Sequence, residues 1–223
     1  MSAGRGVFVA GTDTGVGKTA VATALLRAHV AAGRRAVGMK PVAAGIAAGA
    51  AVNDDVAALA AAGNVDAPLA DRNPYAFAPA IAPHVAAAAA GVAVDVDTIA
   101  AAYARLAARA DAVVVEGAGG VLVPLGPRLD MLDVAARLAL PVLLVVGVRL
   151  GCLNHALLTE QALRLRGVRL AGWVANVIEA GMPARDDSIA TLARALPARC
   201  LAVVRHGGTA QFAAPWLGEV EPC

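Results

Sequence analysis

Gly6-Val7-Phe8-Val9-Ala10-Gly11-Thr12-Asp13-Thr14-Gly15-Val16-Gly17-Lys18-Thr19-Ala20 is the stretch that decides the fold. Its first residues form a short apolar run, predicted as a strand over Gly6–Ala10. A glycine-rich turn follows, and an Ala-rich helix is predicted over Gly17–Ala32. Glycines let the backbone curl so that several N–H groups point inward, and the helix N-terminus adds partial positive charge. In that setting Lys18 is placed to reach the β- and γ-phosphates of a nucleotide, and the Thr19 hydroxyl to ligate Mg²⁺. The spacing departs from the commonest phosphate loop: Thr12 stands where a glycine is expected, with Gly11 one residue farther out. The alternative is a glycine-rich strand–helix turn that holds no ligand. The Lys-Thr pair and its two flanking elements favour phosphate.

Outward from this stretch, short β-branched runs alternate with longer Ala/Leu-rich helical patterns. Strands are predicted over Ala36–Lys40, Ala112–Glu116, Val142–Gly147, Leu170–Asn176 and Leu201–Val204. Helices are predicted over Asp54–Ala62, Asp97–Ala110, Met131–Leu138, Asn154–Arg166 and Asp186–Leu196. Continuous apolar strands imply burial on both faces. The expected architecture is therefore a doubly wound α/β domain, a mostly parallel sheet flanked by helices, with function at the carboxyl ends of the strands. One such domain is expected to span residues 1–223. Gly63–Pro83, rich in Pro, Asn and Asp, reads as an irregular excursion.

Composition narrows the function. Apolar residues make up 59% of the 223 positions, which argues against a disordered chain. Aromatic residues make up only 3%, so the core must rest on many short contacts between small side chains. The formal charge is +2 and no basic stripe is present, which disfavours nucleic acid. The longest strongly apolar stretch, Leu138–Val148, contains Pro141 and is too short to span a bilayer. The N-terminal apolar run turns at once to Gly and Asp, unlike a secretory leader. Cys152, Cys200 and Cys223 are odd in number and lack metal-ligand spacing, so free thiols in a reducing cytoplasm are expected.

Of the 19 basic residues only Lys18 and Lys40 are lysines. Lys40 closes the second predicted strand in Met39-Lys40-Pro41, where it could lie beside the phosphate loop and face the γ-phosphate. A snorkelling surface lysine is the alternative. A compact ammonium suits a charge that must follow a moving phosphoryl group. Two acids are candidates for the metal. Glu116 ends Ala112-Val113-Val114-Val115 and precedes Gly117-Ala118-Gly119-Gly120; an unpaired acid at a buried strand end is costly, which speaks for a role. Asp55, in Asn53-Asp54-Asp55, fits a metal ligand or an ordinary first-turn acid equally well.

Several blocks together resemble the dethiobiotin synthetase family, which has a P-loop NTPase-like fold. They are residues 11–19, Lys-Pro-Val-Ala at 40–43, Asn-Pro-Tyr-Ala-Phe at 73–77 and Ala-Pro-His at 82–84. Val-Glu-Gly-Ala-Gly-Gly at 115–120, Leu-Gly-Cys-Leu-Asn-His-Ala at 150–156 and Gly-Trp-Val-Ala-Asn at 172–176 complete the set. The resemblance implies an ATP- and Mg²⁺-dependent ligase of biotin synthesis. CO₂ would add to an amine of 7,8-diaminononanoate, the carbamate would be phosphorylated by ATP, and the second amine would close the ureido ring. It implies Lys18 and Lys40 as catalytic residues, and Thr19, Asp55 and Glu116 as the Mg²⁺ set. ATP contacts are implied at Asp13, Thr14, Gly15, Val16, Gly17, Lys18, Thr19, Ala20, Asp55, Glu116, Gly117, Ala118, Gly119 and Asn176. Substrate contacts are implied at Thr14, Lys40 and Ala44. Gly151, Cys152, Leu153 and Asn154 would receive the substrate carboxylate from the neighbouring subunit of a homodimer.

Two departures accompany the resemblance. Ala44 stands where the family usually has a substrate-bonding Ser, and Ala202-Val203-Val204-Arg205-His206 replaces a Gly-x-Ile-Pro segment of the adenine pocket. Two other readings share the loop. A related P-loop ligase or amidotransferase domain would lack the Asn-Pro-Tyr and Gly-Cys-Leu-Asn-His blocks. A partition-type switch ATPase usually carries an extra lysine early in the loop, where this chain has Asp13.

Overall fold

The computed structural model describes residues 6–212 and 216. The chain opens with strand β1 (Gly6–Gly11), helix α1 (Lys18–Ala31), β2 (Ala36–Met39), β3 (Val42–Ala44) and α2 (Asp54–Ala62). Next come α3 (Leu69–Arg72), β4 (Tyr75–Phe77), α4 (Pro83–Ala89), α5 (Val96–Ala107) and β5 (Ala112–Gly120). The hairpin strands β6 (Pro124–Gly126) and β7 (Leu129–Asp130) lead into α6 (Met131–Leu138) and β8 (Val142–Val148). The last elements are α7 (Cys152–Leu165), β9 (Leu170–Val177), α8 (Arg185–Ala195) and β10 (Cys200–Val204).

Six strands form one sheet in the order β10-β9-β8-β1-β5-β2, with every neighbouring pair parallel. Alternation along each strand divides the core in two. Val7, Val9, Val114, Leu143 and Val145 pack on one face with Leu25 and Leu26 of α1 and Leu59 of α2. Phe8, Val113, Val115 and Leu144 pack on the other, with Ile99 and Leu106 of α5, Leu132 of α6 and Leu163 of α7. Both faces are dry, which is why these strands read as continuous apolar runs. Among the described residues, no helix is long and apolar enough to cross a membrane. Cys152 and Cys200 are free thiols, and Cys223 lies outside the described residues.

The predicted main strands and helices are all present, within a few residues at their ends. Three features differ. The segment 63–83 is not irregular: it holds α3 and β4, and β4 pairs in parallel with β3, Val42 with Tyr75 and Ala44 with Phe77. These strands are too short for periodicity to announce them. Strand β5 continues through its glycines to Gly120, because Gly120 pairs with Gly11 of β1. Finally, β2 is an edge strand separated from β1 by β5, so Lys40 reaches the phosphate loop across β5 and not from a neighbouring strand.

Candidate active site

The carboxyl ends of β1, β5 and β2 open into a cleft of about 790 Å³. The loop between β1 and α1 forms its floor. Gly17, the residue before α1, has φ of 91°, and a Cβ there would lie 2.2 Å from Asn176 Nδ2. Both the left-handed conformation and the close approach demand glycine. Thr12 fills the expected glycine slot without strain. Its N–H donates to Val145 O at 3.0 Å and its hydroxyl accepts from Gly147 N at 3.3 Å, so it ties the loop to β8.

Lys18 is buried and folds back to donate to Asp13 O at 2.8 Å. Burial, and then the nearby Lys40 charge, push its pKa down to about 8. The Asp13 carboxylate accepts from Thr14 N at 2.7 Å and from Arg149 Nη2 at 2.6 Å. The loop is thereby joined to the turn that precedes Gly151 and α7.

Thr19, Asp55 and Glu116 converge from three elements. The Thr19 hydroxyl lies 2.7 Å from Asp55 Oδ1 and 2.9 Å from Glu116 Oε1. Asn53 caps α2 through a bond from Asp55 N at 3.0 Å, which sets Asp55 in the first turn, facing the cleft. Lys40 reaches the same point across the end of β5. Its ammonium donates to Glu116 Oε1 at 2.6 Å, Asp55 Oδ2 at 2.8 Å and Gly117 O at 3.2 Å. Lys40 is 4% exposed and Glu116 1%, so the snorkelling alternative for Lys40 falls away.

Burial pushes the Glu116 carboxyl above its ordinary range, with Lys40 opposing it. Burial acts on Asp55 in the same sense, but the Lys40 charge and the hydrogen bonds from Lys40 and Thr19 outweigh it and hold Asp55 low. Glu116 Oε2 is buried with no hydrogen-bond partner among the described residues. An unsatisfied carboxylate oxygen beside a second carboxylate and a hydroxyl is a hard, all-oxygen donor set, which fits Mg²⁺ completed by phosphate oxygens. Among the described residues, no three His, Cys, Asp or Glu side chains converge as a self-sufficient metal cluster.

The other sequence-derived residues fall in distinct places. Thr14, Gly15, Gly17, Ala44, Ala118 and Gly119 line the cleft. Val16 is buried beneath the loop, its carbonyl accepting from Asn176 Nδ2 at 2.8 Å, while Ala20 is exposed on α1. Gly151, Cys152, Leu153 and Asn154 start α7 and do not line the cleft of their own chain. Sequence reasoning assigned nothing to Asn53, Ala80, Ile81, Pro83, Val123 and Pro124, which also line it. A cap signal at Asn53 was readable from Asn-Asp-Asp, and Pro83 fell in the Ala-Pro-His block without a role, but nothing local marked the others.

A parallel sheet with a phosphate loop after its central strand, and an acid where the apolar run of the adjacent strand ends, defines a P-loop nucleotide-binding protein. A ParA family ATPase from Chlorobium tepidum shares this fold, with a TM-score of 0.58 at 12% identity over 92% of this chain and 85% of that one. The family profile AAA_26, described as AAA domain, matches residues 5–210. The ATP-dependent dethiobiotin synthetase BioD of Aromatoleum aromaticum is 51% identical over 208 residues, 92% of each chain. BioD of Nitrosospira multiformis is 50% identical, covering 92% of this chain and 90% of that one. The chain belongs to the dethiobiotin synthetase family, which makes it a ligase.

Proposed function

We propose that this chain joins CO₂ to 7,8-diaminononanoate and closes the ureido ring of dethiobiotin, consuming ATP. The observation that carries the reading is the meeting of Lys18, Lys40, Thr19, Asp55 and Glu116 at one end of a cleft. Aliphatic side chains also line the cleft: Ala43, Ala80, Ile81, Val123 and Pro124. A phosphate-handling end and an apolar lining match a substrate that carries two amines on an alkyl chain.

An amine nitrogen attacks CO₂ and loses a proton, giving a carbamate. The carbamate oxygen takes the γ-phosphoryl group while ADP leaves. The second amine then attacks the carbonyl carbon, and phosphate and a proton depart as the ring closes. No group on the protein forms a covalent bond, so the residues act by position and charge. Lys18 has its ammonium depressed by burial and by a like charge, and it regains anionic partners when a triphosphate enters. Lys40 turns from the carboxylates toward carbamate and γ-phosphate oxygens.

Thr19, Asp55 and Glu116 would hold Mg²⁺, which when bound neutralises phosphate charge. Asn176 Oδ1 has no hydrogen-bond partner among the described residues, and its amide nitrogen is anchored on Val16 O, which supports a contact with adenine. Leu150, Leu157, Leu158 and Leu165 are exposed in and beside α7, which supports pairing with a second copy. In such a homodimer the residues from Gly151 to Asn154 of one subunit would receive the carboxylate held in the other. The free thiols of Cys152 and Cys200 support a cytoplasmic setting.

The test is incubation with ¹³C-bicarbonate, 7,8-diaminononanoate, MgCl₂ and ATP. A ureido product with ¹³C at its carbonyl is expected, with one ADP per ring. Nucleotide hydrolysis that ignores the diamine would overturn the reading.

A further inference from the structure

Residues 40 and 41 belong to neither sheet. The β2 ladder ends at Met39, paired with Val115, and the β3 ladder begins at Val42, paired with Tyr75. The backbone that carries Lys40 therefore crosses between two sheets outside the paired stretch of either. What holds it instead is the segment 72–75. Lys40 N donates to Arg72 O at 2.7 Å, and Tyr75 N donates to Pro41 O at 3.1 Å. Between them stands Asn73, 6% exposed, whose side-chain Nδ2 donates to Lys40 O at 2.7 Å and to Tyr75 O at 3.0 Å.

We infer that Asn73 is a positioning residue for Lys40: its amide sets the 40–41 turn so that the lysine side chain runs inward over β5 to Glu116. An amide NH₂ offers two donors on one nitrogen, which is what two converging carbonyls require. Neither bond belongs to the cap of α3, which Asn73 closes through its own backbone N–H to Leu69 O at 2.7 Å. The side chain is thus spared for Lys40. Asp at this position would set a charged oxygen against two carbonyl oxygens, and Ala would remove both donors. This gives the Asn-Pro-Tyr block a task that acts through Lys40, and it rests on the proposed role of Lys40 in phosphoryl transfer.

The chain's two lysines make the test clean. Protein labelled with ¹⁵N-lysine gives one ammonium resonance each for Lys18 and Lys40, and Lys40→Gln assigns them by deletion. Asn73→Ala is expected to shift or broaden the Lys40 signal and leave that of Lys18 in place. It should lower kcat by ~10–100-fold while the KM for ATP stays within about twofold. Asn73→Asp should do the same more strongly. Unmoved Lys40 resonances in both variants overturn the inference, as does an equal loss of kcat and nucleotide affinity. Failure of both variants to fold also overturns it, because a brace acting on one lysine leaves the sheet intact. If the wild-type protein makes no ureido product, the proposed function fails, while the resonances still decide whether Asn73 governs Lys40.

Discussion

Lys40 Nζ donates to Glu116 Oε1 across 2.6 Å, and both side chains are almost excluded from water. The pair is a cation already seated among the carboxylates proposed to receive a metal. Removing one member of a buried pair costs about 3–5 kcal/mol, since the other is left charged and uncompensated. Lys40→Met should therefore lose stability of that order in chelator, and millimolar MgCl₂ should restore part of it. Wild-type protein without nucleotide should respond little to the same salt. Thermal unfolding with and without MgCl₂ measures both. A variant whose melting ignores Mg²⁺ would remove these carboxylates from the metal site.

Asp55→Asn and Glu116→Gln each delete one anionic ligand from the Thr19–Asp55–Glu116 cluster. The Mg²⁺ concentration giving half-maximal turnover should rise by about tenfold or more for each. An unchanged Mg²⁺ titration would exclude the residue concerned.

Ala44 lines the cleft where the family usually offers a hydroxyl. One neutral hydrogen bond is worth about 0.5–1.5 kcal/mol, so Ala44→Ser should lower the KM for the diamine by about two- to tenfold. Steady-state kinetics at saturating ATP read this directly. An unaltered KM would mean that the substrate finds no use for a hydroxyl there.

Tyr103 carries a buried hydroxyl with no hydrogen-bond partner among the described residues, and burial pushes its pKa up to about 12 from 10. The folded state keeps that proton after the unfolded chain has released it. Between pH 10 and 12 the native state binds more protons, so this group makes stability fall as pH rises. Tyr103→Phe should gain about 1 kcal/mol at neutral pH and flatten the decline above pH 10. Urea unfolding at several pH values checks the sign of both effects.

The sheet was legible because its strands carry their burial in their own residues. Val7–Ala10 and Ala112–Val115 are apolar on both faces, and Glu116 stands out as an acid closing such a run. The phosphate loop was legible because glycines, Lys18 and Thr19 sit within one turn of each other. The partner of Lys40 was not legible. Glu116 is 76 residues away, and they meet only because the sheet order places β5 between β1 and β2. The β3–β4 pair escaped for a related reason. Three residues per strand carry no periodicity, and the side-chain bonds beside it, Asn53 to Gly45 O and Asn73 to Lys40 O, span loops whose path the local pattern does not state.

The proposed function requires Lys40 to act in phosphoryl transfer and not in holding nucleotide. Lys40→Gln keeps much of the stem and removes the charge, so turnover and nucleotide affinity can be compared in one variant. We expect kcat to fall by about 10²–10³-fold, while the Kd for MgATP measured by calorimetry changes by no more than about threefold. Parallel losses in kcat and in nucleotide affinity would make Lys40 a nucleotide anchor and contradict its role in phosphoryl transfer.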